Sequence, residues 1–409
     1  MVSANIEGHA GTVLSIILAG GRGSRLHDLT DHEAKPALPI GPHGRLIDYT
    51  LANVVNSRLG ETMVLTQYQP DTLHRHLLDS WQAETAQPAI SILDGADFGP
   101  YEGTAAAVAC IADEIDLVAP RHVVILAGDH LYQMDYRPFV ERHIAARAEV
   151  TVGVVHVPRD QASGFGVLEA DADHRITAFV EKPVIAPAAP DRPDYALASM
   201  GIYVFEWSLL RDLLKEIEGT VADLDFGKHI IPALVSCGTA YAYALPGRQG
   251  REPLWQDLGT LDAYHAVQRH LLDGSLALDP AWPVEHPVHH GVGDRRAIGF
   301  GSTLRNVVLL PGARIGRAVT ISNAIVLADA VIPDGFDLDA ELAESGKWCT
   351  ISEGGIRVIS ARALQRLASR RRRANEVAPI KAIQQPGQMT GQKPDQRPRM
   401  AEAMPVSFF

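Results

Sequence analysis

From residue 14 to about 272, short apolar runs alternate with amphipathic stretches. Leu14-Ser-Ile-Ile-Leu-Ala19 is a mostly apolar run of strand length that reads as a buried strand. Residues 45–58 put Ile47, Leu51, Val54 and Val55 on one helical face. The same reading predicts strands over 62–66 and 122–127, and helices over 71–81, 104–115 and 139–146. Strand–helix alternation of this kind implies a mostly parallel sheet with helices on both faces.

A different texture begins near residue 295. Leu309, Ile315, Ile321 and Leu327 are six apart, as are Val319, Ile325 and Val331. A six-residue period suits neither a helix nor a flat strand; it fits one side of a triangular parallel β-helix coil. Residues 280–287 look like a linker. The expected divisions are an α/β domain over 12–278, a linker over 279–287, a β-helix domain over 288–360 and a helix over 361–373. The tail over 374–409 is rich in Pro, Gln and Lys and poor in aliphatics, so disorder is expected there. The Arg370–Arg373 cluster has no expected role beyond a solvated helix end.

Composition narrows the classes. The chain has 409 residues, of which 46% are hydrophobic and 21% charged, an ordinary globular balance. Its formal net charge of −12 opposes nucleic acid or an anionic membrane surface as a partner, but leaves room for a small phosphate ligand in a local basic pocket. Cys110, Cys237 and Cys349 are dispersed and odd in number, which argues against a disulfide framework and fits a reducing cytoplasm. No signal-like segment or membrane-length apolar run is read.

The candidate chemistry lies at strand ends. After the first strand comes Leu18-Ala-Gly-Gly-Arg-Gly-Ser-Arg-Leu26. Glycines let backbone N–H groups approach phosphate oxygens, and Arg22 and Arg25 add fixed charge. The loop is neither a Walker A nor a dinucleotide fingerprint, because no Gly-Lys-Ser/Thr follows and Leu26 stands at the third glycine position. A plain tight turn would use the same glycines. Lys35, placed at a fixed point in an extended segment held by Pro36 and Pro39, suits a leaving phosphate, or is a solvated lysine beside a turn. Asp129 ends the 122–127 strand, where open α/β sheets bind ligands, and could hold Mg²⁺ or simply cap a turn. Asp257 could complete that metal site, while Asp262 could be only a helix-start residue. Glu181 offers an acceptor for sugar hydroxyls and Lys182 a cation for a sugar phosphate; alternatively they are an exposed pair.

Taken together, these segments resemble the sugar-nucleotide pyrophosphorylases, most closely the bacterial glucose-1-phosphate adenylyltransferase family. The shared run includes the glycine loop, Ala34-Lys-Pro-Ala37, Arg45-Leu-Ile-Asp-Tyr49 with Asn53 and Asn56-Ser57, Tyr101-x-Gly-Thr104 and Ala127-Gly-Asp-His130. It continues through Gly164-Phe-Gly166, Glu181-Lys-Pro183, Ala198-Ser-Met-Gly-Ile-Tyr203, Asp225-Phe-Gly-Lys228, Trp255-x-Asp-x-Gly-Thr260 and Glu353-Gly-Gly-Ile356. The resemblance implies a Rossmann-like nucleotidyltransferase domain followed by a small left-handed parallel β-helix. It implies a Mg²⁺-dependent reaction of ATP with α-D-glucose 1-phosphate, giving ADP-glucose and pyrophosphate for glycogen or a related α-glucan, in a cytoplasmic homotetramer.

By the same resemblance, Leu18, Ala19, Gly20, Gly21, Gly23, Arg25, Lys35 and Gly103 meet the nucleotide. Tyr101, Gly166, Glu181, Lys182 and Ser199 meet glucose 1-phosphate. Asp129 and Asp257 hold the metal, and Arg25, Lys35 and Asp129 are the catalytic set. Three positions depart from the family pattern. His32 and Glu33 stand where basic residues are common, which argues against activation by a sugar bisphosphate, although Arg45 is left as an effector contact. The 81–101 stretch is short, with only Gln82 and Gln87 near the place of the adenine-contacting glutamine. Pro100 and Glu102 flank Tyr101. These departures keep two alternatives open: another NTP or hexose 1-phosphate, and a weakly active regulatory paralogue.

Overall fold

The computed structural model describes residues 13–41, 44–81, 89–217, 219–247, 250, 252–276, 278–284 and 293–377, with backbone alone over 374–377. Gln82 and Gln87, most of the 279–287 linker's second half, and residues 378–409 lie outside these.

One nine-stranded sheet carries the first domain. Its strands are β1 (Val13–Ala19), β2 (Thr62–Thr66), β3 (Ile90–Asp94), β4 (His122–Ala127), β5 (Val150–Pro158), β6 (Gly166–Ala170), β7 (Ile176–Glu181), β8 (Tyr195–Glu206) and β9 (Ala240–Ala244). β3, β2, β1 and β4 are parallel neighbours. β8 then runs antiparallel between β4 and β5, and β9 is parallel to β5. The β6–β7 hairpin joins the start of β8.

The sheet is therefore mixed, which corrects the expectation of a mostly parallel one. No α-helix separates β5 from β8. A parallel return usually needs a crossover helix; here the connection is the β6–β7 hairpin, and β8 comes back antiparallel.

Both faces of the sheet are covered. Leu14 and Ile16 of β1 pack with Val108, Leu210 and Leu214 on one side, whereas Val13 and Ile17 pack with Leu51, Val54 and Phe139 on the other. This is the two-residue alternation of a strand serving two cores. The helix expected over 104–115 is split into Thr104–Cys110 and Ala112–Val118, because Ile111 leaves helical geometry at φ −105°, ψ 14°.

The second domain pairs strands at an offset of 17 residues: Thr303 with Thr320, Ile315 with Ile332, and Ile298 with Ile315. A parallel strand returning over itself at this interval is a β-helix coil. The coil is one residue short of three sixes, and this shifts the phase at Val331. Ile332 points inward at 1% exposure while Val331 is 62% exposed, against the six-residue expectation. The helix Leu338–Ser345 interrupts the third coil, which closes with Arg357–Ile359 beside β-strand Thr320–Val326.

The two domains share a core in which Leu26, Leu29, Leu261 and Tyr264 meet Val308, Ile325, Leu327 and Val358. Polar contacts flank it. Asp28 accepts from Thr350 Oγ1 at 2.7 Å and Ser360 Oγ at 3.0 Å. Asp262 accepts from Ser352 Oγ at 2.6 Å. Asp262 is thus a docking residue rather than a mere helix start.

The last helix, Ala361–Val377, continues past Arg373. Its Arg370 donates to Ser345 O at 2.8 Å, and Arg371 pairs with Glu341. Both arginines fasten the helix to the coil, so the cluster is more than a solvated end. Among the described residues no helix is long and apolar enough to cross a membrane.

The Arg45–Ser57 motif is scaffolding. Buried Asp48 accepts from Arg45 N, His76 Nε2 and Trp81 Nε1 at 2.7, 2.6 and 2.8 Å. Asn53 Oδ1 accepts from Met134 N and from Trp282 Nε1, at 3.1 and 2.8 Å, tying the start of the linker to the α/β domain. Arg45 itself is held by Glu33 and the Ala37 carbonyl.

Candidate functional site

A cleft of about 980 Å³ opens at the carboxyl ends of β1 and β4, where ligands collect in open α/β sheets. β1 delivers the glycine loop. Leu18, Gly20, Gly21 and Arg22 line the cleft. A Cβ on Gly20 would lie 2.9 Å from Gln67 Cβ, so only glycine lets this backbone pass. Gly23 adopts φ +59° and opens a 3₁₀ turn, Ser24–Leu29. Ala19 is buried beneath the loop, and Gly23 sits against Lys35 and Thr30, so neither lines the cleft.

β4 ends in Gly128-Asp129. Gly128 N donates to Leu18 O at 3.0 Å, which locks the aspartate turn onto the glycine strand. Asp257 arrives from the far end of the domain. The strand Trp255–Asp257 pairs antiparallel with His130–Tyr132, putting Asp257 in register with His130. This two-stranded ribbon brings the two aspartates together.

Lys35 Nζ lies 3.0 Å from Asp129 Oδ2 and 3.2 Å from Asp257 Oδ1. Its side chain is 6% exposed, and those of Asp129 and Asp257 are 31% and 22% exposed. His130 Nε2 stands 3.7 and 3.8 Å from the two carboxylates.

Burial opposes ionisation of both partners, but their mutual attraction outweighs it. The Lys35 ammonium, with help from His130 and hydrogen bonds, pulls Asp129 down to about 2. For Lys35, too, burial is the largest single influence and lowers its pKa, yet Asp129 and Asp257 together raise it above the ordinary lysine value. Arg25 closes this corner: a Cβ on Gly259 would meet Arg25 Nη2 at 2.8 Å and the Asp257 oxygens at 3.0 and 3.1 Å. Asp129 lines the cleft, whereas Lys35, Arg25 and Asp257 do not; Lys35 touches Asp129 and Asp257 directly.

The opposite wall comes from β6, β7 and β8. Glu181 directs Oε2 between Gly166 and Gly227, 2.8 and 3.3 Å from where their Cβ atoms would be. Gly166, Glu181 and Ser199 all line the cleft. Lys182 does not; its ammonium is on Glu181 Oε1 at 2.6 Å and its side chain is 60% exposed. Tyr101 lines the cleft, with burial pushing its phenol up to about 12. Gly103 takes φ +96°, and a Cβ there would strike Leu224 O at 2.2 Å, so a side chain is forbidden.

Several lining residues went unassigned by sequence reasoning. His130 was visible only as the neighbour of Asp129. Thr104 donates to Asp225 Oδ2 at 2.8 Å, and both line the cleft; Asp225 stood in a matching motif without a role. Gln67, whose Nε2 donates to Tyr101 O at 3.2 Å, follows β2 with no local signal at all.

Two carboxylates suit Mg²⁺, a hard cation that takes one or two of them and completes its shell with water and substrate phosphates. Among the described residues no group of three or more His, Cys, Asp and Glu could hold a metal by itself.

Residues 14–274 match the nucleotidyl transferase family model, and residues 288–359 match that of the GlmU-like C-terminal hexapeptide. Curated relatives named glucose-1-phosphate adenylyltransferase cover most of the chain. The Paraburkholderia phymatum protein is 36% identical over 88% of this chain and 97% of its own. The Jannaschia sp. protein is 36% identical over 86% and 96%. A second such enzyme of Vibrio cholerae is 37% identical over 82% and 87%. The match runs through both domains, and the chain belongs to the glucose-1-phosphate adenylyltransferase family of the sugar-nucleotide pyrophosphorylases.

Proposed function

We propose that the protein transfers the adenylyl group of ATP to α-D-glucose 1-phosphate, releasing pyrophosphate. A phosphate oxygen of the sugar phosphate forms the new bond to the α-phosphorus in line, and the bond to the β-phosphate bridging oxygen breaks. Both substrates are anions, so neutralising charge and holding the line of attack are the main tasks, and no covalent intermediate is needed.

The convergence of Asp129 and Asp257 on one ammonium, beside the glycine loop, carries this reading. These two aspartates would hold Mg²⁺, which when bound supplies further positive charge to the triphosphate. Leu18, Gly20 and Gly21 bound the nucleotide side of the cleft, and Gly103 shapes its edge. Arg25 and Lys35 are the protein's own cations for the phosphates. Tyr101, Gly166, Glu181 and Ser199 receive the sugar phosphate, and Lys182 exchanges Glu181 for its phosphate. The left hand of the coil, a tetrameric assembly and a cytoplasmic location belong to the same proposal, through the family.

A second reading keeps the chemistry and changes the substrate, to another NTP or another hexose 1-phosphate. Glu102 in the cleft wall favours it, since it puts a carboxylate beside Tyr101. Pyrophosphate release from the pure protein with Mg²⁺, glucose 1-phosphate and each NTP in turn decides the matter. Release with ATP alone is expected. Release with another NTP supports the second reading, and none with any NTP, despite measurable ligand binding, makes the chain a regulatory paralogue.

A further inference from the structure

The segments that carry Arg25 and Asp257, beside the cleft, are built against the second domain, and one short segment of that domain grips them twice. Arg25 and Asp28 share the turn Ser24–Leu29. Asp28 Oδ1 accepts from Thr350 Oγ1 at 2.7 Å, and Oδ2 from Ser360 Oγ at 3.0 Å and Arg366 Nη2 at 3.5 Å. On the other flank, Asp262 Oδ1 accepts from Ser352 Oγ at 2.6 Å, and Oδ2 from Gly354 N at 3.3 Å. The docking hydroxyls are themselves fixed. Ser352 Oγ accepts from Ile356 N at 2.9 Å, and Ser360 Oγ from Ala363 N at 3.0 Å.

The Arg25 turn needs such support. It contains His27 at φ 48°, ψ −126° and follows Gly23 in the left-handed region. Thr30 Oγ1 closes it from within, donating to Gly23 O at 3.0 Å and His27 O at 3.3 Å, but backbone this far from the common wells persists only where its surroundings also hold it. The stretch from Asp257 to Asp262 is held by the ribbon with His130, by Leu258 and Leu261 in the core shared with the second domain, and by the dock on Ser352. Within that stretch, Arg25 Nη2 and the Asp257 carboxylate both approach Gly259.

We infer that Asp28 and Asp262 are positioning residues for the nucleotide end of the cleft, and that residues 350–360 of the hexapeptide domain set the spacing of Arg25 and Asp257 through them. The inference rests on the assignment of that corner to the nucleotide, proposed above. It assigns the second domain a part in triphosphate binding although none of its residues lines the cleft.

Four variants of the full chain test it: Asp28→Ala and Asp262→Ala from one side, Thr350→Val and Ser352→Ala from the other. Each should raise the KM for ATP about tenfold while the KM for glucose 1-phosphate stays within about twofold, a split that general loss of stability does not produce. Asp28→Asn keeps one acceptor oxygen and should fall between Asp28→Ala and the wild type. Hydrogen exchange of the ligand-free protein supplies a readout that needs no turnover. In Asp28→Ala the amides of 24–30 should exchange at least about tenfold faster while those of β1 are unchanged.

Equal rises in both KM values, or unchanged kinetics with unchanged exchange at 24–30, overturn the inference. Faster exchange at 24–30 in a protein whose wild type turns over no NTP leaves the docking intact and removes the proposed reaction instead.

Discussion

Lys35 and Asp257, 222 residues apart in the chain, are joined by a hydrogen bond of 3.2 Å, and the same ammonium reaches Asp129 at 3.0 Å. One buried cation therefore holds together two carboxylates that would otherwise repel. Replacing it with an uncharged side chain of similar length, as in Lys35→Met, leaves that repulsion bare. The loss at neutral pH should be roughly 1–3 kcal/mol, below the usual cost of breaking a fully buried pair because Asp129 is partly open to solvent.

The pH dependence of that loss has a definite sign. Asp129 is held at about 2 in the folded protein, below the ordinary value of 3.8. Its stabilisation is present above the ordinary value and is lost as pH falls from about 4 towards 2. The melting-temperature gap between wild type and Lys35→Met should thus be widest near neutrality and shrink through that window. A gap of constant size would mean that the ammonium does not govern Asp129. Added Mg²⁺ should stabilise Lys35→Met more than the wild type.

Lys182→Ala is expected to raise the KM for glucose 1-phosphate about tenfold with kcat changed less than about threefold. The ammonium now rests on Glu181, so its role in binding requires it to leave that partner for the sugar phosphate. A fall in kcat with KM unmoved would contradict the assignment.

His143 is buried at 1% exposure, edge-on to His122 with ring centroids 5.2 Å apart. Burial, aided by His122, lowers its pKa to about 3 from 6.5. The unfolded chain takes up this proton first, so the protein loses stability as pH falls below about 6.5. His143→Gln keeps a partner for Thr151 and removes the titration. Its melting temperature should fall less steeply than that of the wild type between pH 6.5 and 4, and an unchanged slope would show that His143 titrates normally.

Gly354 lies where a Cβ would come within 2.4 Å of Asp262 Oδ1. Gly354→Ala should cost about 1–3 kcal/mol by forcing the turn at Gly354 away from the helix that carries Asp262. Denaturant unfolding checks this, and in an Asp262→Ala background the cost should fall by half or more. Full additivity of the two substitutions would refute the contact.

How much of this the sequence carried depends on how local each cause is. β1, β4 and the helix Leu46–Ser57 follow from apolar spacing within a dozen residues, and all stand close to where that spacing puts them. The glycine loop was legible because its turn chemistry is contiguous. β8 was not legible as the antiparallel member of the sheet, since direction depends on what lies between strands rather than on the strand itself. Val331 escaped the six-residue rule because the 17-residue coil shifts its phase by one.

The aspartate pair shows the same boundary between local and distant causes. Asp129 could be picked out at a strand end, but only the ribbon with His130–Tyr132 brings Asp257 to it. Arg45, left as an effector contact by the family resemblance, is paired with Glu33, twelve residues earlier. Asp28 and Asp262 carried no sequence signal of docking, because their partners lie in another domain.

Asp129→Asn tests the central claim most directly, with turnover measured as pyrophosphate release and glucose 1-phosphate binding measured by calorimetry on the same preparation. The substitution keeps the shape of the side chain and removes its charge. The account predicts a fall in turnover of about two orders of magnitude or more with sugar-phosphate affinity nearly intact. Near-normal turnover in that variant would contradict it and take Asp129 out of the reaction centre.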